Sequence, residues 1–223
     1  MQVKLSDILS REQDIIAGHI QKYTGTAIRV FAPCVDEKVC HSDENVPPIS
    51  ILEIPPALDK KGKKSKPEFR DNRDGWTYIT CGASLKEQIL PGNAADWIIP
   101  RTEFMCYVKE QNIWPVEALN LLSRLPFEKD THLYWWHTVN FVEPLDENEE
   151  TTQSAFLLLP PYFEDADFDN FTLYGDDVRF LMALPITEEE RAFAAQYGGQ
   201  ALEEKLLTAN SDFIFDPQRE SVI

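Results

Sequence analysis

The stretch from Leu184 to Ile223 constrains the fold of this chain more than any other part of the sequence. It continues a run, Val178 to Leu184, in which apolar side chains recur at every second position, the period of a strand with one face more buried than the other. Pro185 is predicted to end that strand because it has no N–H to donate. Thr187 is suited to cap a helix, since Glu190 three residues later can bond back to the Thr187 N–H. The sequence therefore predicts a strand that passes directly into a capped helix.

A pair of glycines, Gly198 and Gly199, divides the residues that follow into two helices. Glycine adopts the backbone conformation that closes a helix at little cost, so the first helix is predicted to end there. Leu202 and Leu206 then fall at helical spacing and predict a second helix. The chain finishes in DPQRESVI, a turn followed by a short apolar tail.

Earlier parts of the chain predict a further set of helices and strands. A first helix is predicted from a cap at Ser6 to Gly25, and a second begins at Trp114-Pro115, where proline at the first helical position costs nothing. The strands predicted by β-rich or alternating runs are Thr26 to Phe31, Ile49 to Ile54, Trp76 to Cys81, the run containing Phe104, Cys106 and Val108, Leu133 to Val142, and Ser154 to Leu159. Leu133 to Val142 carries aromatics on both faces and predicts a central strand covered on both sides. The fold class is therefore α/β (α+β), with a central mixed sheet flanked by helices.

Composition excludes several kinds of protein. The net charge of −17 disfavours nucleic acid and an anionic membrane as direct partners, because phosphate binding depends on clustered Lys and Arg. No run approaches the roughly 18 to 20 apolar residues that span a bilayer, and the N-terminus has no secretory pattern, so we expect a cytoplasmic protein. The length suits a single domain over residues 1–223, with Leu58 to Gly75 as a mobile basic loop. The four scattered cysteines predict reduced thiols rather than disulfides.

Residues that can support catalysis or metal binding have a structural interpretation beside the chemical one. His137 suits either a metal site or a core hydrogen bond to a carbonyl, and His132 is predicted to point to the opposite face of the same strand. Cys34, Cys40 and His41 form the nearest approach to a zinc cluster but have no Cys-x-x-Cys pair. Cys81 to Ser84 fits neither a nucleophile elbow nor a phosphate loop, and predicts a glycine turn that leaves the sheet. No cofactor is predicted.

Acidic runs are the remaining positive feature. Between Glu143 and Glu190 the sequence has fourteen acidic residues and a single base, Arg179. If the two acidic loops converge at one edge of the sheet, they form a negative surface suited to a basic protein partner, and the aromatics among them resemble interface anchors. The alternative is that acidic loops merely keep the protein soluble. The residues predicted to contact a partner are Asp146, Glu147, Glu149, Glu150, Tyr162, Glu164, Asp165, Asp167, Asp169, Asp176 and Asp177.

Several phrases occur in the order found in the suppressor of fused (SUFU) domain family. The phrases are Thr80-Cys81-Gly82-Ala83-Ser84, Glu103-Phe104, Trp114-Pro115, His137-Thr138, Leu158-Leu159-Pro160-Pro161, and the Leu-Pro-Ile-Thr helix start with the final Arg-x-Ser-Val. From about Gly75 to Ile223 the chain resembles a single-lobe, bacterial-type member of this family. The family often has glycine before the His-Thr pair, where this chain has Trp136.

The resemblance implies a SUFU-like fold and a non-catalytic protein-binding function. Larger animal members resemble two lobes that clamp a strand of a transcription factor, which is strand addition. Single-lobe bacterial relatives are associated with immunity proteins that neutralise toxins, so the expected function is masking or sequestering a basic partner. The alternatives are an escort or scaffold for an endogenous protein and a metal-assisted hydrolase built on His137 and nearby carboxylates. The sequence does not indicate an oligomeric state.

Overall fold

The computed structural model describes residues 9–32, 45–56, 75–94, 97–141 and 151–223. Four α-helices and eight strands lie in these ranges. The helices are α1 (Arg11–Thr24), α2 (Trp114–Glu128), α3 (Glu188–Tyr197) and α4 (Gly199–Thr208). The strands are β1 (Arg29–Phe31), β2 (Ser50–Ile54), β3 (Trp76–Cys81), β4 (Arg101–Val108), β5 (Thr138–Asn140), β6 (Gln153–Leu159), β7 (Phe171–Leu173) and β8 (Asp176–Thr187).

The strands form one mixed sheet in the order β1-β2-β3-β4-β8-β6-β5, with β7 pairing β8. The β4–β8 pair is parallel and the other pairs are antiparallel. The α/β (α+β) prediction with a central mixed sheet is confirmed. The central strands β4 and β8 are buried along most of their length, as expected for a sheet covered on both faces.

Two apolar clusters occupy the two faces of the sheet. On one face Phe180, Met182 and Leu184 of β8 lie in the same cluster as buried residues of α1 and α4. On the other face Leu181 and Ala183 lie in the same cluster as buried residues of α2. The period of two predicted for this strand therefore separates two layers of helix, and the sheet is the middle layer of three.

Local signals for helix termini are confirmed in the C-terminal region. The Thr187 hydroxyl accepts from the Glu190 N–H at 3.3 Å, and the Glu190 carboxylate accepts from the Thr187 N–H at 2.9 Å, which completes the predicted capping box. Gly198 has φ +96° between α3 and α4. Helix α2 begins at Trp114 with Pro115 in its first turn, as predicted. For α1, the N-cap is Ser10 rather than Ser6, which lies outside the described residues.

Pro185 does not end β8, so that prediction is wrong. Its Cα lies opposite Phe156 of β6, whereas the pairing between β4 and β8 stops at Met182. The Pro185 carbonyl accepts from Arg219 at 3.1 Å. In a strand the N–H and C=O of one residue point toward the same neighbour, so the missing N–H lies on the side that β4 no longer occupies, where proline is tolerated.

The prediction of a central strand from Leu133 to Val142 is also wrong. The strand extends only from Thr138 to Asn140, with flanking backbone hydrogen bonds that join Trp136, His137 and Phe141 to β6. Strand β5 is at the edge of the sheet, and Val142 lies outside the described residues. Trp135 and Trp136 form a turn closed by the bond from the His137 N–H to the Tyr134 carbonyl, and Trp136 has φ +66°. The Trp135 indole donates to the Phe180 carbonyl at 3.3 Å, so this aromatic ring packs as an individual anchor rather than as part of an alternating strand face.

Candidate protein-binding surface

Buried aromatic side chains position the acidic segment between β6 and β8. Phe168 and Phe171 are buried, and both rings stack on His19 of α1. The Phe168 carbonyl lies 2.7 Å from His19 Nε2. Burial lowers the pKa of His19, which favours the neutral ring, although the hydrogen bond to Phe168 acts in the opposite direction. The segment is therefore fixed to α1, and these two rings are core groups rather than exposed interface anchors.

Two of the predicted contact residues face the interior of the fold. Glu164 is 3% exposed, and its carboxylate accepts from the Tyr107 hydroxyl at 3.1 Å. Tyr162 donates to Glu203 of α4 at 2.6 Å, and burial raises the pKa of its hydroxyl. These side chains hold the segment to the sheet and to α4, and neither adds an exposed charge.

Two further predicted residues are neutralised by arginines. Asp176 accepts from Arg101 at 3.0 Å. Asp169 lies 3.5 Å from Arg179, and burial raises its pKa although the Arg179 charge acts in the opposite direction. Both pairs reduce the negative field around the segment.

Three of the predicted residues, Asp165, Asp167 and Asp177, carry exposed carboxylates, and we call them the exposed aspartates. Asp165 caps a short 3₁₀ helix, Ala166–Asp169, by accepting from the Asp167 N–H at 3.0 Å. Within the described ranges none of the three forms an ion pair with a base. Asp146, Glu147, Glu149 and Glu150 lie outside the described residues.

A second feature lies at the β5 edge. His132 and His137 have ring centroids 5.1 Å apart in a T-shaped contact, so the prediction that they point to opposite faces is wrong. The turn around Trp135 replaces the extended backbone on which that prediction depended. Burial lowers the pKa of His137, and the charge of His132 also lowers it, although a hydrogen bond with the His132 backbone acts in the opposite direction. Both rings line an open cavity of about 660 Å³ with Thr131, Thr138, Asn140 and Arg191.

Trp136 occupies the position before the His-Thr pair at which the family often has glycine. Its φ of +66° is unusual for a bulky residue, and glycine adopts this φ freely. The Trp136 indole donates to Glu203 at 2.7 Å, and the Trp136 carbonyl lies so close to Gly199 that a Cβ there would be 2.1 Å away. Glu203 thus joins β5 to the acidic segment, because it accepts from both Trp136 and Tyr162.

Two buried carboxylates explain other family phrases. Glu103 accepts five hydrogen bonds, from the Thr80 hydroxyl, the N–H groups of Gly82, Ala83 and Ser84, and the Ser84 hydroxyl. Burial raises its pKa, and these bonds act in the opposite direction. The Thr-x-Gly-x-Ser phrase is therefore a turn folded around one carboxylate, as the glycine-turn interpretation predicted.

Glu190 is the second buried carboxylate, and it accepts hydrogen bonds from the C-terminal residues as Glu103 does from its turn. It accepts from Arg219 at 2.5 and 2.7 Å and from the Val222 N–H at 3.1 Å, which accounts for the Arg-x-Ser-Val phrase. Burial alone would raise the pKa of Glu190, but the bonds from Arg219 and the Thr187 backbone outweigh burial and lower it.

The described part of the chain contains few groups that are arranged for metal binding or catalysis. No three His, Cys, Asp or Glu side chains among the described residues are placed to hold a metal ion. Cys81 and Cys106 are free and buried, and burial raises the pKa of both thiols. Cys34, Cys40, His41 and all of residues 57–74 lie outside the described ranges. None of the four described helices combines the length and apolar character that a membrane crossing requires.

The fold and surface together define an α+β domain with one mixed sheet, an edge strand, β5, that pairs only with β6 among the described residues, and an acidic segment fixed by buried aromatics. The family model described as Suppressor of fused protein (SUFU) matches residues 46–220. The chain belongs to the suppressor of fused family, and the resemblance inferred from its phrases is confirmed.

Relatives of known structure share this fold. A putative SUFU homologue from Neisseria gonorrhoeae is 21% identical, with a TM-score of 0.67 over 95% of this chain and 97% of that chain. A chain of the Sufu-Fu complex is 12% identical, with a TM-score of 0.64 over 95% of this chain and 92% of that chain. Drosophila Suppressor of Fused is 12% identical, with a TM-score of 0.61 over 94% of this chain but 50% of that chain. The predicted single-lobe fold is confirmed.

A curated relative is similar in sequence over a shorter length. The immunity protein YqcF of Bacillus subtilis is 34% identical over 76 residues. The match covers 34% of this chain and 39% of that protein.

Proposed function

We propose that this chain is a protein-binding module that masks a basic protein partner, as an immunity protein masks a toxin. The observation that carries the proposal is a contrast among the acidic residues. Several of them bond to interior groups or to arginines, whereas Asp165, Asp167 and Asp177 are exposed and form no ion pair closer than 4 Å within the described ranges. The hydrogen bonds that Asp165 and Asp167 accept come from neighbours within three residues. The net charge of −17 and the similarity to the immunity protein YqcF support the same proposal.

The mechanism is steric and electrostatic. A strongly negative surface raises the rate at which a basic partner meets it, and opposite charges across the contact select the partner. The bound chain then covers the partner's active surface. No cofactor is required for this action.

The β5 edge provides a second contact for the same partner. Within the described ranges β5 pairs only with β6, so its outer side can accept an added strand. The cavity lined by His132 and His137 lies beside that edge and can receive a side chain of such a strand. This contact is consistent with strand addition, the binding mode implied by the resemblance to larger family members.

The experiment is a co-expression test with the protein encoded by the adjacent reading frame in the source genome. We expect that protein to arrest growth when it is expressed by itself, and this chain to restore growth and form a purified complex whose dissociation constant rises with salt. The variant with Asp165, Asp167 and Asp177 all changed to Asn should lose protection.

A matched control changes the same amount of charge elsewhere. Glu110, Glu117 and Glu204 are exposed acids outside the segment, and their triple change to Gln should preserve protection. Equal loss in both triple variants would show that net charge, rather than this surface, is responsible. A complex that forms without any effect on the partner's activity would favour an escort role and contradict masking.

A further inference from the structure

The turn between β7 and β8 contains a residue that the fold does not explain. Leu173 pairs with Asp176, so Tyr174 and Gly175 are the two central residues, and both have positive φ, +58° and +93°. Such turns favour Asn or Gly at the first position, because a larger side chain is strained there. Tyr174 is 63% exposed, so burial of its ring does not offset the strain. A strained and exposed aromatic residue points to a role outside the fold.

The ring of Tyr174 is held on a rigid support. The Arg101 guanidinium lies 5.3 Å from the ring centroid. Arg101 is 9% exposed and is fixed by the carbonyls of Ser84 and Leu85 and by the carboxylates of Glu87 and Asp176. A ring that is already held in place loses little conformational freedom on binding, as an interface anchor should.

The charge next to the ring is negative. Arg101 faces two carboxylates, those of Glu87 and Asp176, so one negative charge in this group remains unneutralised, and both carboxylate side chains are about half exposed. An aromatic face beside an unneutralised carboxylate attracts a cationic side chain through its ring quadrupole and through the charge.

We propose that Tyr174 is the anchor at which this chain receives an arginine or lysine of its basic partner, with the exposed face of the ring against the cation and the carboxylates of Glu87 and Asp176 as counter-charge. This inference rests on the proposed function and adds the residue that dominates the contact. It assigns the tyrosine to recognition and the adjoining Arg101 to positioning.

Titration of the full-length chain with a ten-residue peptide of alternating Arg and Ser tests the inference, with binding followed by NMR shifts of the Tyr174 and Gly175 amides. Tyr174→Asn suits the positive φ, so it should melt at the same or a higher temperature and yet bind the peptide about three- to fivefold more weakly. Tyr174→Phe keeps the ring and should bind like the unchanged chain. Glu87→Gln should reduce the salt dependence of binding, whereas Tyr174→Asn should leave it unchanged.

Equal peptide affinity in Tyr174→Asn and the unchanged chain would overturn the inference. If Tyr174→Asn kept full affinity while the triple change of the exposed aspartates abolished binding, the acidic surface would be supported and the role of Tyr174 would be contradicted. No binding of the peptide to the unchanged chain would overturn both. A chain dimer in sedimentation that is lost in Tyr174→Asn would assign the turn to self-association and also overturn the inference.

Discussion

The acids of this chain form two populations that differ in what surrounds them. Glu103 and Glu190 are fully buried, and each is surrounded by several donors. Those of Glu103 come from one turn, Thr80 to Ser84, and those of Glu190 come from Thr187, Arg219 and Val222. Of the exposed aspartates, Asp165 and Asp167 lie on the segment between β6 and β8, and Asp177 lies at the start of β8; none forms an ion pair within the described ranges. The first population stabilises the fold, and the second, whose hydrogen bonds are local, is the one that we propose to contact a partner. A carboxylate with a structural role is therefore recognised by the number of donors around it, and the total number of acidic residues does not distinguish the two groups.

Glu103→Gln should give the largest change in stability. The amide nitrogen of Gln would face groups that are themselves donors, so part of the turn from Thr80 to Ser84 would lose its acceptor. We expect a loss of about 4 kcal/mol in the free energy of unfolding, measured by denaturant titration. Glu110→Gln, at an exposed position, serves as the control and should change stability by less than about 0.5 kcal/mol. Similar midpoints for the two variants would contradict the structural role of Glu103.

Glu190→Gln should lower the free energy of unfolding by about 3 kcal/mol, because it leaves the nearly buried Arg219 without its counter-charge.

The two buried carboxylates should also give stability an opposite dependence on pH. The pKa of Glu190 is lowered in the folded state, so its contribution to the free energy of unfolding is present above the ordinary pKa of 4.5 and is lost as pH falls through the folded pKa. The pKa of Glu103 is raised, so its contribution is present below 4.5 and is lost as pH rises through the folded pKa.

Unfolding midpoints measured from pH 3 to pH 7 check these opposite signs. The fall in stability below pH 4.5 should become shallower in Glu190→Gln than in the unchanged chain. An unchanged acid limb would show that Glu190 does not contribute through its charge.

Thr187→Ala removes the side-chain half of the capping box at the start of α3. We expect the free energy of unfolding to fall by about 1 kcal/mol, while affinity of the folded fraction for a partner or for the arginine peptide stays the same. Thermal melting and peptide titration on the same sample measure both quantities. A selective loss of binding with no change in melting would assign Thr187 to the binding surface instead.

His19 anchors the segment that carries Asp165 and Asp167, and replacing it should change stability less than the substitutions above. Its pKa is lowered in the folded state, so the unfolded chain takes up a proton more readily, and stability should fall as pH drops below about 6.5. His19→Gln should make stability less dependent on pH between 7 and 5. A slope that is identical in the two proteins would show that protonation of His19 is not linked to folding.

Local signals in the sequence predicted much of the fold. The Thr187 cap, the glycine pair and the alternation along β8 depend on neighbours within a few residues, and all three are confirmed. The prediction of a long strand in the β5 region is wrong because LYWWHTVNFV has the composition and period of a strand although most of it does not form one. The positive φ of Trp136 and its bond to Glu203, 67 residues away, are tertiary effects that no local pattern reveals.

The candidate site was predicted less completely, for the same reason. Asp165, Asp167 and Asp177 resemble Glu164 and Asp176 in the sequence, and they differ only in what the fold brings near them. The donor to Glu164 is Tyr107, 57 residues earlier, and the base beside Asp176 is Arg101, 75 residues earlier. The strain at Tyr174 had a local signal, since a two-residue turn ending in glycine favours Asn or Gly at the position this tyrosine occupies.

The most direct test of this division of roles compares two triple variants in complex with the protein encoded by the adjacent reading frame. One changes Asp165, Asp167 and Asp177 to Asn, and the other changes Glu110, Glu117 and Glu204 to Gln, with dissociation constants measured at low and high salt. The account predicts that both variants keep the stability of the unchanged chain within about 0.5 kcal/mol and that only the aspartate variant binds at least tenfold more weakly, with a reduced salt dependence. Equal affinities for the two variants would contradict it.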